Sequence, residues 1–193
     1  ANDNGGVFPP LSPEPGRLAY AAGEACGQIG PHPEYLSDAH VLLCPDDADY
    51  AEQREEFDAA HLMDDWSYYY LGYAVISDAE MRAFSEAYVD RMTRGEPLCD
   101  DIPVAAGTGS FGADTLSRLG ENLFPPQEPG QKENPLFATI PVIIERRGNH
   151  PDNAVNVLWM DGHVTLLKPG TWPNTDETMA ALAAMDALSP PAK

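Results

Sequence analysis

Proline and glycine punctuate this chain so densely that they decide how much of it can be regular. The 193 residues hold 19 prolines and 16 glycines. Many fall in runs such as "VFPPLSPEPG", "LFPPQEPGQKENP" and "LSPPAK". Proline lacks a backbone donor and holds φ near −65°, so such runs interrupt helices and central strands alike. They predict long Pro/Gly-rich loops laid over a smaller regular core. The length suits one domain spanning residues 1–193 and suffices to bury a core.

The regular core is read from periodicity. Residues 154–160 and 163–167 are two apolar runs joined by Asp161-Gly162, a strong hairpin signal that predicts a type I′ turn. Along the first strand Val155, Val157 and Trp159 share one face, and Asn156, Leu158 and Met160 share the other. In the second, Val164 and Leu166 oppose His163, Thr165 and Leu167. Apolar residues on both faces predict a central rather than an edge hairpin. With "TIPVIIE" at 139–145 it forms a three-stranded antiparallel meander over residues 138–168. The aromatic, β-branched run at 66–76 predicts a further strand.

Ser77 and Glu80 form a capping box ahead of Met81, Phe84, Tyr88 and Met92, whose spacing puts them on one stripe of an amphipathic helix over 78–94. Gly95 is placed to stop it. Asn174 and Glu177 suggest another capping box and a terminal helix reaching about Leu188. Strands and helices segregated in this way make an α+β fold.

Eleven basic residues against 31 acidic ones give a net charge of −20. That field repels nucleic-acid backbones and anionic lipid surfaces, and attracts divalent cations. No apolar run approaches the roughly 18 residues that span a bilayer, so no membrane contact is expected from this chain itself. The segment "GTGSFG" at 107–112 lacks the Lys-Ser/Thr ending of a phosphate loop.

Cys26, Cys44 and Cys99 contain no C-x-x-C pair, which argues against a zinc ribbon or a redox motif. A Cys26–Cys44 disulfide would close an 18-residue separation and stabilise by about 3 kcal/mol; three buried thiols are the alternative. His150, Asp161 and His163 offer imidazoles and a carboxylate, the donor set of a metal-dependent hydrolase. Asp161, however, has sufficient reason to exist in the turn, and no G-x-S-x-G nucleophile motif is present, so a structural role is expected and no enzymatic one. Trp66, Tyr68, Tyr70 and Trp172 would serve as an exposed platform in a secreted carbohydrate- or protein-binding module.

Four stretches together resemble a known family. His150 followed by Asp161-Gly162-His163-Val164 resembles the C-terminal signature of prepilin-type "H-X9-DG" proteins, a pseudopilin-like family, with ten residues in place of nine between His150 and Asp161. "LLCPDDAD" around Cys44-Pro45-Asp46 is similar to the family's mid-chain Cys-Pro segment, "SYYYLGYAV" to the tyrosine-rich strand after it, and "ANDNGGVFPP" to the segment following its long N-terminal helix. The resemblance implies a pilin-like head built on an antiparallel sheet, a structural subunit of a type IV pilin-like filament or type II secretion apparatus. Its partners would be other pilin or pseudopilin subunits. It implies an exported protein of the cell envelope whose membrane-anchoring N-terminal helix is absent from this chain, and cysteines outside the cytoplasm, where a disulfide persists. Some related pseudopilins bind calcium in C-terminal loops. Here the acidic loops are Asp46, Asp47 and Asp49, and Asp152 with Asn153, none with EF-hand spacing.

Overall fold

In a computed structural model, the structure describes residues 6–19, 24–29, 43–47, 50, 67–120, 123–124 and 134–188. The fold is α+β. Its centre is an antiparallel sheet of four strands in the order β3-β6-β7-β8: Tyr68–Tyr70, Pro141–Glu145, Val155–Trp159 and Val164–Leu167. Two small hairpins flank it, β1 (Glu24–Ala25) with β2 (Gln28–Ile29), and β4 (Ile102–Pro103) with β5 (Thr115–Leu116). Helices α1 (Asp78–Thr93) and α2 (Asp176–Asp186), with the short 3-10 turns Ser110–Gly112, Pro135–Thr139 and Pro151–Asn153, complete the described elements.

The expected meander is present and gains a fourth strand, because Tyr68, Tyr69 and Tyr70 pair with Glu145, Ile144 and Ile143. The strand expected over 66–76 shrinks to those three tyrosines. Gly72 takes a left-handed φ of 66° and turns the chain out of the sheet; Trp66 lies outside the described residues. Pro141 stands at the first position of β6, where a missing donor is tolerated, and the register slips between Pro141 and Ile143. One face of β6–β8 buries Ile144, Val155, Val157 and Trp159 in a cluster with Met81, Phe84 and Tyr88 of α1 and Leu182 and Met185 of α2.

Two expectations for the hairpin are corrected. The connection is a three-residue loop, Met160-Asp161-Gly162, closed by the Trp159 amide donating to His163 O at 3.0 Å. Only Gly162 has a positive φ there, 88°. The Asp161 carboxylate accepts the His163 amide at 3.1 Å, so the turn needs one left-handed residue rather than the two of type I′, and glycine supplies it. The hairpin also supplies an edge. Val164 and Leu166 on β8 are 61% and 59% exposed, because nothing described covers that face beyond β7. An apolar pattern records which residues favour burial, not whether a second layer exists to bury them.

The helices follow their caps. Ser77 Oγ accepts the Glu80 amide at 3.3 Å, while Glu80 returns to the Ile76 amide at 2.7 Å, one residue before the expected Ser77. Helix α1 ends at Thr93, with Gly95 left-handed just beyond. For α2 the cap is Thr175, whose hydroxyl accepts the Thr178 amide at 3.1 Å, and not Asn174. Asn174 is instead buried, donating to Asn153 O and Leu167 O and accepting from Arg147 Nε. The stretch "GTGSFG" serves the β4–β5 hairpin: a Cβ on Gly109 would lie 2.3 Å from Thr115 O, so backbone approach accounts for that glycine.

The Cys26–Cys44 pairing is also corrected. Cys26 is bonded to Cys99, with Cα atoms 5.4 Å apart. Cys26 sits in the β1–β2 turn at φ 57°, against the segment that follows α1, whereas Cys44 is a buried free thiol beside the sheet. Closeness in sequence favoured the wrong partner. The separation is 73 residues, for which loop entropy gives about 4 kcal/mol. Cys99→Ser is therefore expected to lower the unfolding free energy by up to about that amount in urea titration.

Candidate functional site

The polar residues singled out from the sequence divide into two groups at opposite ends of β7. Asp161, Gly162 and His163 form the exposed turn after the strand, where the His163 ring stacks on Trp159 at 5.7 Å and 12° and its Nδ1 meets Asp161 Oδ1. His150 lies before the strand, N-terminal to the short 3-10 turn Pro151–Asn153. Five strand residues stand between the groups, about 17 Å at 3.3–3.4 Å each. His150, Asp161 and His163 thus do not form one constellation, and a hydrolase site built from these three is ruled out by distance.

What His150 meets instead is Glu145. The sheet register places Ile144 opposite Val157, which puts the next residue of β6, Glu145, beside Asn156 and on the face away from the helices. The Glu145 side chain has 0% exposure. Its Oε2 accepts the Asn156 backbone amide and the Asn156 Nδ2, both at 2.9 Å, and lies 3.1 Å from His150 Nε2. Its Oε1 is buried with no hydrogen-bond partner among the described residues. Two N–H donors on one carboxylate oxygen are charge-assisted bonds, the strong kind, and they leave the second oxygen aimed elsewhere.

The far side of the cluster comes from the segment Leu43 to Asp47. The Asp47 amide donates to Cys44 O at 3.1 Å, a turn in which Pro45 holds the second position with its φ already set. The Cys44 amide donates to Ser67 Oγ at 3.0 Å, and Ser67 Oγ donates to Asp47 Oδ2 at 3.3 Å. Ser67 O in turn accepts the Arg146 amide and Asn149 Nδ2. The turn thus delivers Cys44 Sγ to 3.8 Å from His150 Nε2, and Asp46 Oδ2 to 3.2 Å from His150 Nδ1. Among the described residues, Cys44, Glu145 and His150 are the group of three whose donor atoms all fall within 4.8 Å of one another.

The electrostatics match this burial. Burial first, then the adjacent Glu145 carboxylate, push the Cys44 thiol up to about 11, over the opposing pull of the Asp46 and Asp47 backbone. Burial and the negative charge of Glu145 also push Tyr68 upward. The thiol is therefore neutral at ordinary pH and is not poised as a nucleophile, because the thiolate is the reactive form.

The remaining predicted residues do not converge. Asp46 and Asp47 are engaged as above. Asp152 and Asn153 take left-handed φ values of 61° and 55° in their turn, and Asn153 O accepts from Asn174. Among the described residues, Asp46, Asp47 and Asp152 form no group of three, and Asp49 lies outside them. No exposed aromatic platform forms from the described candidates: Tyr70 is buried with its hydroxyl on Pro9 O, and Tyr68 and Trp172 are half-buried. Glu145 and Asn156 were not singled out from the sequence. The signal for Asn156 is a polar residue inside the run "VNVLW"; Glu145, at the end of "PVIIE", reads as an ordinary strand terminus.

No family model, no curated protein and no solved structure matches this chain.

The raised thiol sets a pH window. Stability from the neutral thiol is complete below the unfolded value of about 8.5 and is lost as pH rises through the folded value of about 11. In metal-free buffer at pH 8, Cys44 should resist iodoacetamide in the native protein and react once it is unfolded in urea, as followed by intact mass.

Proposed function

We propose that this chain is the globular head of a pseudopilin-like subunit, a non-enzymatic structural part of a type IV pilin-like filament or secretion apparatus in the cell envelope. The observation that carries the reading is the meeting of two motif segments. Cys44-Pro45-Asp46 and His150, 106 residues apart in the chain for Cys44 and His150, come together on Glu145 at the base of an antiparallel sheet. Their polar groups tie one segment to another, which is what a structural module requires of its motif residues. The other half of the signature, Asp161-Gly162-His163, shapes a turn. Two further features support it: the Cys26–Cys99 disulfide is compatible with an oxidising compartment, and the charge of −20 disfavours nucleic-acid partners. The binding-module alternative loses support from the burial of Tyr70.

Intact-mass analysis and N-terminal sequencing of the protein from its own cell test this reading. The expected result is a longer chain, with an apolar helix of about 20 residues upstream of Ala1 and a processed, methylated first residue. A native chain starting at or near Ala1 after ordinary secretory cleavage would overturn it.

A further inference from the structure

We infer that Cys44, Glu145 and His150 form a binding site for a single thiophilic divalent cation of the zinc class. Three independent features of the cluster point there.

The first is donor geometry. Zinc bonds to sulfur at about 2.3 Å and to imidazole nitrogen or carboxylate oxygen at about 2.0–2.2 Å. Tetrahedral angles then put donor atoms roughly 3.4–3.6 Å apart. His150 Nε2 lies 3.8 Å from Cys44 Sγ and 3.1 Å from Glu145 Oε2, and all three donors fit within 4.8 Å. Small side-chain adjustments bring them to bonding positions.

The second is the orientation of the imidazole. A metal-bound histidine characteristically hands its other ring N–H to a carboxylate, which fixes the tautomer and raises the basicity of the ligating nitrogen. His150 Nδ1 lies 3.2 Å from Asp46 Oδ2, and its Nε2 points into the cluster, where Asn156 Nδ2 stands 3.0 Å away and must yield to an ion. Glu145 is held likewise, its Oε2 fixed by the Asn156 backbone and side chain.

The third is the orphan oxygen. Glu145 is fully buried, its Oε1 has no N–H or O–H donor among the described residues, and what faces the carboxylate from the turn is the weak S–H donor of Cys44. A buried acceptor without a donor is a destabilising arrangement, and a cation that takes Oε1 as its carboxylate ligand, Oε2 staying with Asn156, removes that deficit. Thiolate with imidazole and carboxylate selects zinc or cobalt over calcium and magnesium, which take all-oxygen sites. On binding, the S–H bond of Cys44 breaks, a sulfur–metal bond forms and that proton passes to solvent, while the His150 ring proton that faces Glu145 at Nε2 gives way to one held at Nδ1 by Asp46, freeing Nε2 for the ion. The three described donors leave a fourth position on the ion. The acidic surface, at −20 overall, raises the local cation concentration. The site is a different chemistry from the calcium loops expected from the sequence, and it stands whether or not the chain assembles into a filament.

The test uses the whole chain with its disulfide intact and Cys44 reduced, stripped with chelator. Zinc is titrated calorimetrically and cobalt by absorption. The expected result is one ion per chain, with release of a proton, a thiolate-to-cobalt charge-transfer band, displacement of cobalt by zinc but not by excess calcium, and a higher melting temperature with zinc. Cys44→Ser should abolish the charge-transfer band, and His150→Ala should weaken binding by more than about 100-fold, beyond what loss of a supporting residue costs. Because His150 also supports the fold, the exposed Asp46 supplies a variant that keeps the chain folded: Asp46→Asn should weaken zinc by about 10-fold with an unchanged circular dichroism spectrum. Absence of stoichiometric zinc binding by the folded wild-type chain would overturn the site, as would binding of equal strength in the Cys44→Ser and Asp46→Asn variants, which would place the ion elsewhere on the acidic surface.

Discussion

A carboxylate has been taken wholly out of water at the end of the sheet, and much of the surrounding structure follows from what that requires. Glu145 has no exposure, and an ionised side chain in such a place is tolerated only with donors or opposite charge at hand. Asn156 supplies two donors and His150 stands at 3.1 Å. Each partner commits a segment of chain. Asn156 commits the register of β7 against β6, His150 the loop before β7, and Cys44 with Asp46 the turn that closes over the cluster. Ser67 links that turn to the start of β3 through the Cys44 amide, and to the end of β6 through the Arg146 amide. The Cys44 turn and the segment from His150 to Asn156, remote from each other in sequence, therefore meet at the side chain of Glu145, and a change there should be felt in both.

The histidine-to-Asp-Gly signature gains a physical meaning from this arrangement. It reads as one motif, yet its ends do different things at opposite ends of β7. His150 is mostly buried and locks the sheet to the Cys44 segment. Asp161-Gly162 makes a tight turn in solvent, with His163 leaning on Trp159. The ten residues between the ends are the three of a short 3-10 turn, Ala154, a five-residue strand and Met160 of the loop.

Local signals carried through to the fold where the physics is local. The capping box at Ser77 and the stripe from Met81 to Met92 became α1 with its predicted face buried, because helix caps and amphipathic periodicity involve residues within a turn or two of each other. The β7–β8 hairpin was legible for the same reason. What depended on distant chain was not. Cys26 found Cys99 rather than Cys44, since disulfide partners are chosen by the folded path. Val164 and Leu166 were expected under cover, yet β8 lies at the edge. In the candidate site, His150 and Cys44 were both noticed, but for other reasons, and Glu145 was passed over. A glutamate at the end of an apolar strand looks the same in sequence whether it emerges into solvent or turns back under a loop.

His150, 3.1 Å away, sustains the burial of Glu145. A double-mutant cycle on Glu145→Gln and His150→Ala, read by urea unfolding of metal-free protein, tests it most directly. The two changes should be strongly non-additive, with a coupling of about 1–3 kcal/mol, because removing the carboxylate charge removes most of the need for the imidazole. Effects that add to within about 0.3 kcal/mol would mean that the two side chains are neighbours without being partners.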